Sequence, residues 1–203
     1  VICEIMNDDG TMARLPELVA FAQFHNLKIG AIDELIAYRR VAERYIERVL
    51  ETPFETRAGP DFKLVIFRNR LDDIEHAALV KGEIKADQPI LVRVHRVDFA
   101  ADVMGGLGAR ASLVERSLAE IDKEGAGVLV LLREFEPISK RYSGVEPSPE
   151  EAADNANRMI GVGSQILREL GVRRMVVLAN TPRKLVALEG YGLVVDGWRG
   201  FAP

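Results

Sequence analysis

The periodicity of the chain changes near residues 41–50, and that change limits it to a two-part, mixed α/β design. Before the change, Leu15, Leu18, Val19 and Ala22 fall at helical spacing around Pro16, a residue suited to a first helical turn. A short strand is expected over residues 28–32, and Asp33 is placed to cap a second helix through Leu35, Ile36 and Tyr38. After the change come strand-like runs at residues 45–51, 62–68, 75–82 and 90–97, separated by Gly59-Pro60, residues 69–73 and residues 87–89. Their spacing predicts an antiparallel meander. Helical spacing returns at Leu113, Leu118 and Ile121, and Gly125-Ala126-Gly127 ends that helix before an apolar strand at 128–132. Ser148-Pro149-Glu150-Glu151 opens a long helix to Leu170, Gly171 stops it, a buried strand spans 174–178, and a short helix starts at Pro182. We therefore expect one domain over residues 1–44 and a second, mixed α/β domain over 45–203.

With 203 residues, 48% hydrophobic and 29% charged, the chain can bury a sizeable core or two small ones. A net charge of −4 gives no general attraction for nucleic acid or an anionic membrane, so neither is expected as a partner. No apolar run reaches the roughly 18 residues that span a bilayer, and no basic-then-apolar leader opens the sequence, so the cytoplasm is the expected compartment. Cys3, the single cysteine, excludes an internal disulfide, and its apolar neighbours predict a buried thiol. The chain opens on Val1 rather than Met, from which we expect a piece of a longer protein.

Residues 1–6 read as a short apolar strand carrying Glu4, followed by the turn signal Asn7-Asp8-Asp9-Gly10. A carboxylate in such a strand is costly to bury without a partner or metal; the alternative is a solvated edge residue. The string CEIMNDDGTMAR (residues 3–14) resembles the C-terminal signature of 3,4-dihydroxy-2-butanone 4-phosphate synthase, and residues 15–40 continue the likeness. The resemblance implies that Glu4 belongs to a ribulose 5-phosphate site. It also implies that the parent protein makes 3,4-dihydroxy-2-butanone 4-phosphate and formate with magnesium polarising the sugar oxygens. The remaining parts of that site would lie outside this chain, so the chain alone is expected to be inactive as a synthase, with the rest of the synthase domain as its partner.

The strings HAALVKGEI (76–84), ILVRVH (90–95), GVGSQILRELGV (161–172), LANTPRK (178–184) and LEGYGL (188–193) resemble GTP cyclohydrolase II over roughly residues 45–195. The implied fold is that family's mixed sheet with helices. The family opens the guanine ring with a zinc ion held by three cysteines, because zinc with an open position makes hydroxide available near neutral pH. Its pattern, laid on this chain from Arg93-Val94-His95, puts Asp98, Ala109 and Ala111 at the cysteine positions. Two alanines cannot ligate, so no zinc and no cofactor is expected in this chain, and His95 reads as a hydrogen-bonded strand residue. Where the family carries Gln-Glu-Gly-Arg, the chain has Glu134-Phe135-Glu136-Pro137 after Arg133; where the family carries Asp-x-Arg-x-Tyr-Gly, it has Ala156-Asn157-Arg158-Met159-Ile160-Gly161. The likeness implies that the general base is lost, that Arg158 is a vestige of the catalytic arginine, and that Arg93, Arg133 and Lys184 are residual phosphate contacts. The plainer alternative is that these cations are solvated or paired with some of the 31 acidic residues.

Three readings follow. The first is an inactive, cyclohydrolase-like scaffold, dimerisation or stabilising module of a butanone-phosphate synthase, as a homodimer. The second is a sensor that binds GTP or phosphate through the remaining cations. The third is an active cyclohydrolase with an unconventional metal site.

Overall fold

A computed structural model describes residues 3–105, 112–134, 138–181 and 188–201. The chain divides into two compact units, Val1–Ala42 and Glu43–Pro203. None of the described helices is long and apolar enough to cross a membrane.

The first unit holds helices α1 (Leu15–Phe24) and α2 (Ile32–Ala42). Pro16 occupies the first turn of α1, and the backbone N–H of Arg14 donates to Glu17 Oε2 at 2.9 Å, which satisfies one donor at the helix start. The expected turn is present. Gly10 N–H donates to Asn7 O at 2.9 Å, and Asp9 Oδ1 accepts from the Thr11 N–H and hydroxyl at 2.9 and 2.7 Å. Of the strand expected over residues 1–6, the described residues 3–6 hold only a single antiparallel bridge, Met6 to Met12. Cys3 is exposed, not buried, because this short segment has no sheet to enter. Residues 27–31 form no strand for the same reason, and α2 already starts at Ile32, so Asp33 lies inside it.

The second unit is built on a seven-stranded sheet of order β1-β2-β3-β5-β4-β6-β7. The strands are β1 (Ile46–Thr56), β2 (Gly59–Asn69), β3 (Ile74–Lys81), β4 (Pro89–Arg96), β5 (Gly127–Leu132), β6 (Arg174–Leu178) and β7 (Val194–Arg199). The first three form the expected antiparallel meander. Gly59-Pro60 lies within β2 rather than between strands, because the turn closes earlier, where Thr56 Oγ1 accepts from the N–H groups of Ala58 and Gly59 at 3.2 Å each. The fourth strand departs from the meander: β5 inserts between β3 and β4, antiparallel to β3 and parallel to β4. The cause lies in the sequence of β4. Its Ile90, Leu91 and Val92 are all buried, a run that requires neighbours on both edges and cover on both faces.

Helix α3 (Leu113–Glu124) covers one face, where Leu118 and Ile121 pack with Phe62, Leu79, Leu91, Leu129 and Leu178. The approach is close at Gly127, where a Cβ would stand 2.8 Å from the Ile121 side chain and 2.9 Å from the Leu91 carbonyl. Helix α5 (Pro149–Glu169) covers the other face and starts in the expected capping box. There Ser148 Oγ accepts from Glu151 N–H at 3.2 Å and Glu151 Oε2 accepts from Ser148 N–H at 2.9 Å. A π-helical turn (Phe99–Val103) and the one-turn helix α4 (Ile138–Arg141) were not anticipated by spacing. The helix expected from Pro182 lies outside the described residues.

Candidate functional site

The parallel strands β5, β4 and β6 end together, and in open α/β sheets that edge is where ligands are held. Alternation along β4 sorts the residues there. Val94 faces α5, since the missing Cβ of Gly163 would lie 3.1 Å from Val94 Cγ1. Its neighbours Arg93 and His95 therefore point to the α3 face.

His95 is fully buried and donates its Nε2–H to Asp102 Oδ2 at 2.7 Å. The carboxylate acceptor assigns the imidazole proton to Nε2. The same oxygen accepts from the Asp98 N–H at 2.7 Å. Asp98 is itself buried and caps the π-helical turn, its Oδ1 accepting from Ala101 N–H at 3.1 Å and from the Tyr142 hydroxyl at 3.0 Å. The residues that the resemblance puts at the family's zinc positions do not fit that ion. Asp98 Oδ1 is engaged by two donors, while Ala109 and Ala111 have no ligating atom and lie outside the described residues. Among the described residues no three His, Cys, Asp or Glu side chains converge as a metal site.

Arg158, on α5, pairs with Asp72 at 2.7 Å, and Asn69 Nδ2 donates to the same Asp72 oxygen at 2.8 Å. His76 lies nearby at the start of β3, fully buried, its Nδ1 accepting from the backbone N–H of Arg133 at 3.2 Å. Burial, reinforced by the charges of Arg133 and Arg158 and opposed by Asp72, lowers its pKa from 6.5 to about 4. His76 is therefore neutral at physiological pH.

The structure thus brings Arg158 and Arg133 to the surroundings of His76, while Arg93 belongs to the opposite face. There Arg93 Nη1 donates to Leu178 O at 3.0 Å, and its guanidinium, like that of Arg116, stacks over the Phe201 ring, at 5.7 and 5.1 Å respectively. Glu4 is exposed in the first unit. Lys184, Phe135, Glu136 and Pro137 lie outside the described residues.

A cavity of about 500 Å³ opens beside the start of α5, lined by Arg96, Glu134, Lys140, Glu146, Glu151 and Asn155 among others. Arg96 meets Glu134 at 3.3 Å and Lys140 meets Glu151 at 4.0 Å. Its three carboxylates outnumber its two cations, which disfavours a polyanion. Spacing in the sequence missed Asp102, Tyr142, Asp72 and the role of His76. Asp98 and Asp102, four apart after His95, carried a local signal for the turn; Tyr142 and Asp72 carried none, because their partners are 44 and 86 residues away.

The family model for GTP cyclohydrolase II matches residues 47–199, and that for 3,4-dihydroxy-2-butanone 4-phosphate synthase matches residues 1–38. The riboflavin biosynthesis protein RibBA of Aquifex aeolicus is 44% identical, over 96% of this chain and 52% of its own length. The monofunctional riboflavin biosynthesis protein RIBA 2 of Arabidopsis thaliana, a chloroplastic protein, is 43% identical, over 97% of this chain and 43% of its own. The 3,4-dihydroxy-2-butanone 4-phosphate synthase of Pseudomonas aeruginosa is 38% identical, over 96% of this chain and 54% of its own. The crystal structure of RibBX, a two-domain 3,4-dihydroxy-2-butanone 4-phosphate synthase from A. baumannii, superposes with a TM-score of 0.62 at 35% identity, covering 97% of this chain and 53% of that one. The chain spans about half the length of the curated relatives it matches. Taken with the mixed sheet and its two covering helices, these matches establish that the chain belongs to the GTP cyclohydrolase II family, within riboflavin biosynthesis proteins that also carry synthase sequence.

Proposed function

We propose that residues 45–203 form a cyclohydrolase-like unit that does not hydrolyse GTP and serves as scaffold, dimerisation or stabilising module of a 3,4-dihydroxy-2-butanone 4-phosphate synthase. The observation that carries this reading is the engagement of Asp98. The side chain at a zinc position is tied internally to Ala101 and Tyr142, and the other two positions are alanine. Without a metal to lower the pKa of a bound water, the hydroxide that attacks the ring has no source in this site. Arg158, matched to the catalytic arginine, is held by Asp72 instead of facing an open phosphate position. The synthase names of the Pseudomonas aeruginosa relative and of RibBX, each matched across nearly all of this chain, support the same reading.

In this proposal the whole protein is a homodimeric, cytoplasmic synthase that converts ribulose 5-phosphate to 3,4-dihydroxy-2-butanone 4-phosphate and formate with magnesium. Glu4 is the part of its active site carried here, and the unit past residue 44 needs no cofactor of its own. The test is a calorimetric titration of GTP into the purified chain with and without zinc, followed by a formate assay. We expect no saturable heat at millimolar GTP and no formate. Zinc-dependent formate release would overturn the proposal. Saturable binding without formate would instead favour the sensor reading, with Arg93, Arg133, Arg158 and Lys184 as the residues to mutate.

A further inference from the structure

We propose that the end of β4 is held by a metal-free clamp, His95–Asp102–Asp98–Tyr142, which makes through hydrogen bonds a connection that the family pattern gives to a metal at Asp98. The clamp concerns how the turn is held, and it stands whether or not the unit binds GTP.

The backbone needs such a clamp at this place. Val97 N–H still donates to Leu132 O at 2.9 Å, extending the ladder by one residue, and then the chain leaves the sheet. The π-helical turn that follows is a rare, short conformation that seldom persists on its backbone bonds alone. Two side chains close it reciprocally: Asp98 Oδ1 reaches forward to Ala101 N–H, and Asp102 Oδ2 reaches back to Asp98 N–H. His95, buried in β4, donates to that same Asp102 oxygen and so ties the turn to the sheet. Tyr142, just past α4, then ties it to a segment 44 residues downstream. Its hydroxyl donates to Asp98 Oδ1 at 3.0 Å while accepting from Ala100 N–H at 2.9 Å. Both capacities of one phenol oxygen are used on the turn, whereas 47% of the residue is exposed. The hydroxyl, more than the burial of the ring, makes the connection. The downstream segment carries Lys140, a wall of the charged cavity, so the clamp also fixes where that wall stands.

Amide hydrogen exchange on the full chain, read by NMR, tests the clamp. In the wild type we expect protected amides at Ala100 and Ala101, unchanged by a chelator and by added zinc. Tyr142→Phe should accelerate exchange at Ala100 about tenfold, the equivalent of one lost hydrogen bond, with Leu129 and Val130 unaffected. Asp98→Asn, whose amide oxygen still accepts from both donors, should retain most of the protection, and Asp98→Ala should lose it. Protection that falls on chelation, or wild-type exchange at Ala100 in Tyr142→Phe, would overturn the proposal. The chelator comparison needs only the wild type and decides even if the variants do not fold.

Discussion

The two units of the chain share an apolar sequence style and use it differently. In the first unit Ala13 and Ala22 are buried, while Leu15, Phe24, Ile32 and Leu35 are all more than half exposed. In the second unit, Phe67, Ile121, Val128, Leu129, Ile166 and Leu178 are fully buried between the sheet and its helices. Helical spacing therefore announces a helix in both units, while a packed cluster of large buried side chains is described in the second. What separates them is the sheet: seven strands offer α3 and α5 a surface to cover, while the described residues of the first unit hold a single bridge.

The comparison can be broken most directly in the core. Leu129→Ala should lower unfolding stability by about 3–4 kcal/mol, read as a shift of the denaturant midpoint, because the cavity would lie between packed layers. A loss below about 1 kcal/mol would mean that the second unit is no better packed than the first. His76 comes next. Its folded pKa of about 4 lies below the ordinary 6.5, so the unfolded chain binds the extra proton first. The neutral imidazole's contribution is complete above pH 6.5 and is lost as pH falls toward 4, on the order of 3 kcal/mol in all. His76→Gln should flatten the stability profile in that window; an unchanged slope would place the titrating group elsewhere. Arg158→Ala should cost about 1 kcal/mol, since the pair is partly exposed on the arginine side. It should leave the response to GTP as flat as in the wild type, and a GTP signal present only with Arg158 would reverse the functional reading. The smallest effect is expected at Phe24, 86% exposed, where Phe24→Ser should shift stability by no more than about 0.5 kcal/mol. A larger loss would reveal that another surface covers this helix.

Much of the second unit was legible because its signals are local. The Ser148 to Glu151 capping box, the stop at Gly125 and the β-branched runs of β2 and β6 each lie within a few residues of what they specify. The insertion of β5 was not legible from turn spacing, since pairing is decided by which edges remain open after α3 crosses over. In the first unit the strand signal failed because alternation describes a face and says nothing of whether a neighbour exists to cover it. At the candidate site, the sequence set Asp98, Ala109 and Ala111 where the resemblance puts zinc cysteines, but did not show what engages the groups around them. Asp72 with Arg158 and Tyr142 with Asp98 are partners that only the folded chain brings together.

The strand order also dictates a schedule of assembly. β1, β2 and β3 pair with their neighbours in sequence and can zip as soon as they are made. β4 follows directly, yet its two hydrogen-bonding neighbours are β5, some thirty residues later, and β6, some eighty residues later. A strand whose Ile90, Leu91 and Val92 are buried in the finished sheet thus waits with both edges open until distant chain closes on it. Because such non-local closures are slow, the rate of folding rests on β5 arriving. Until then β4 is the segment of this chain most exposed to pairing with the wrong partner.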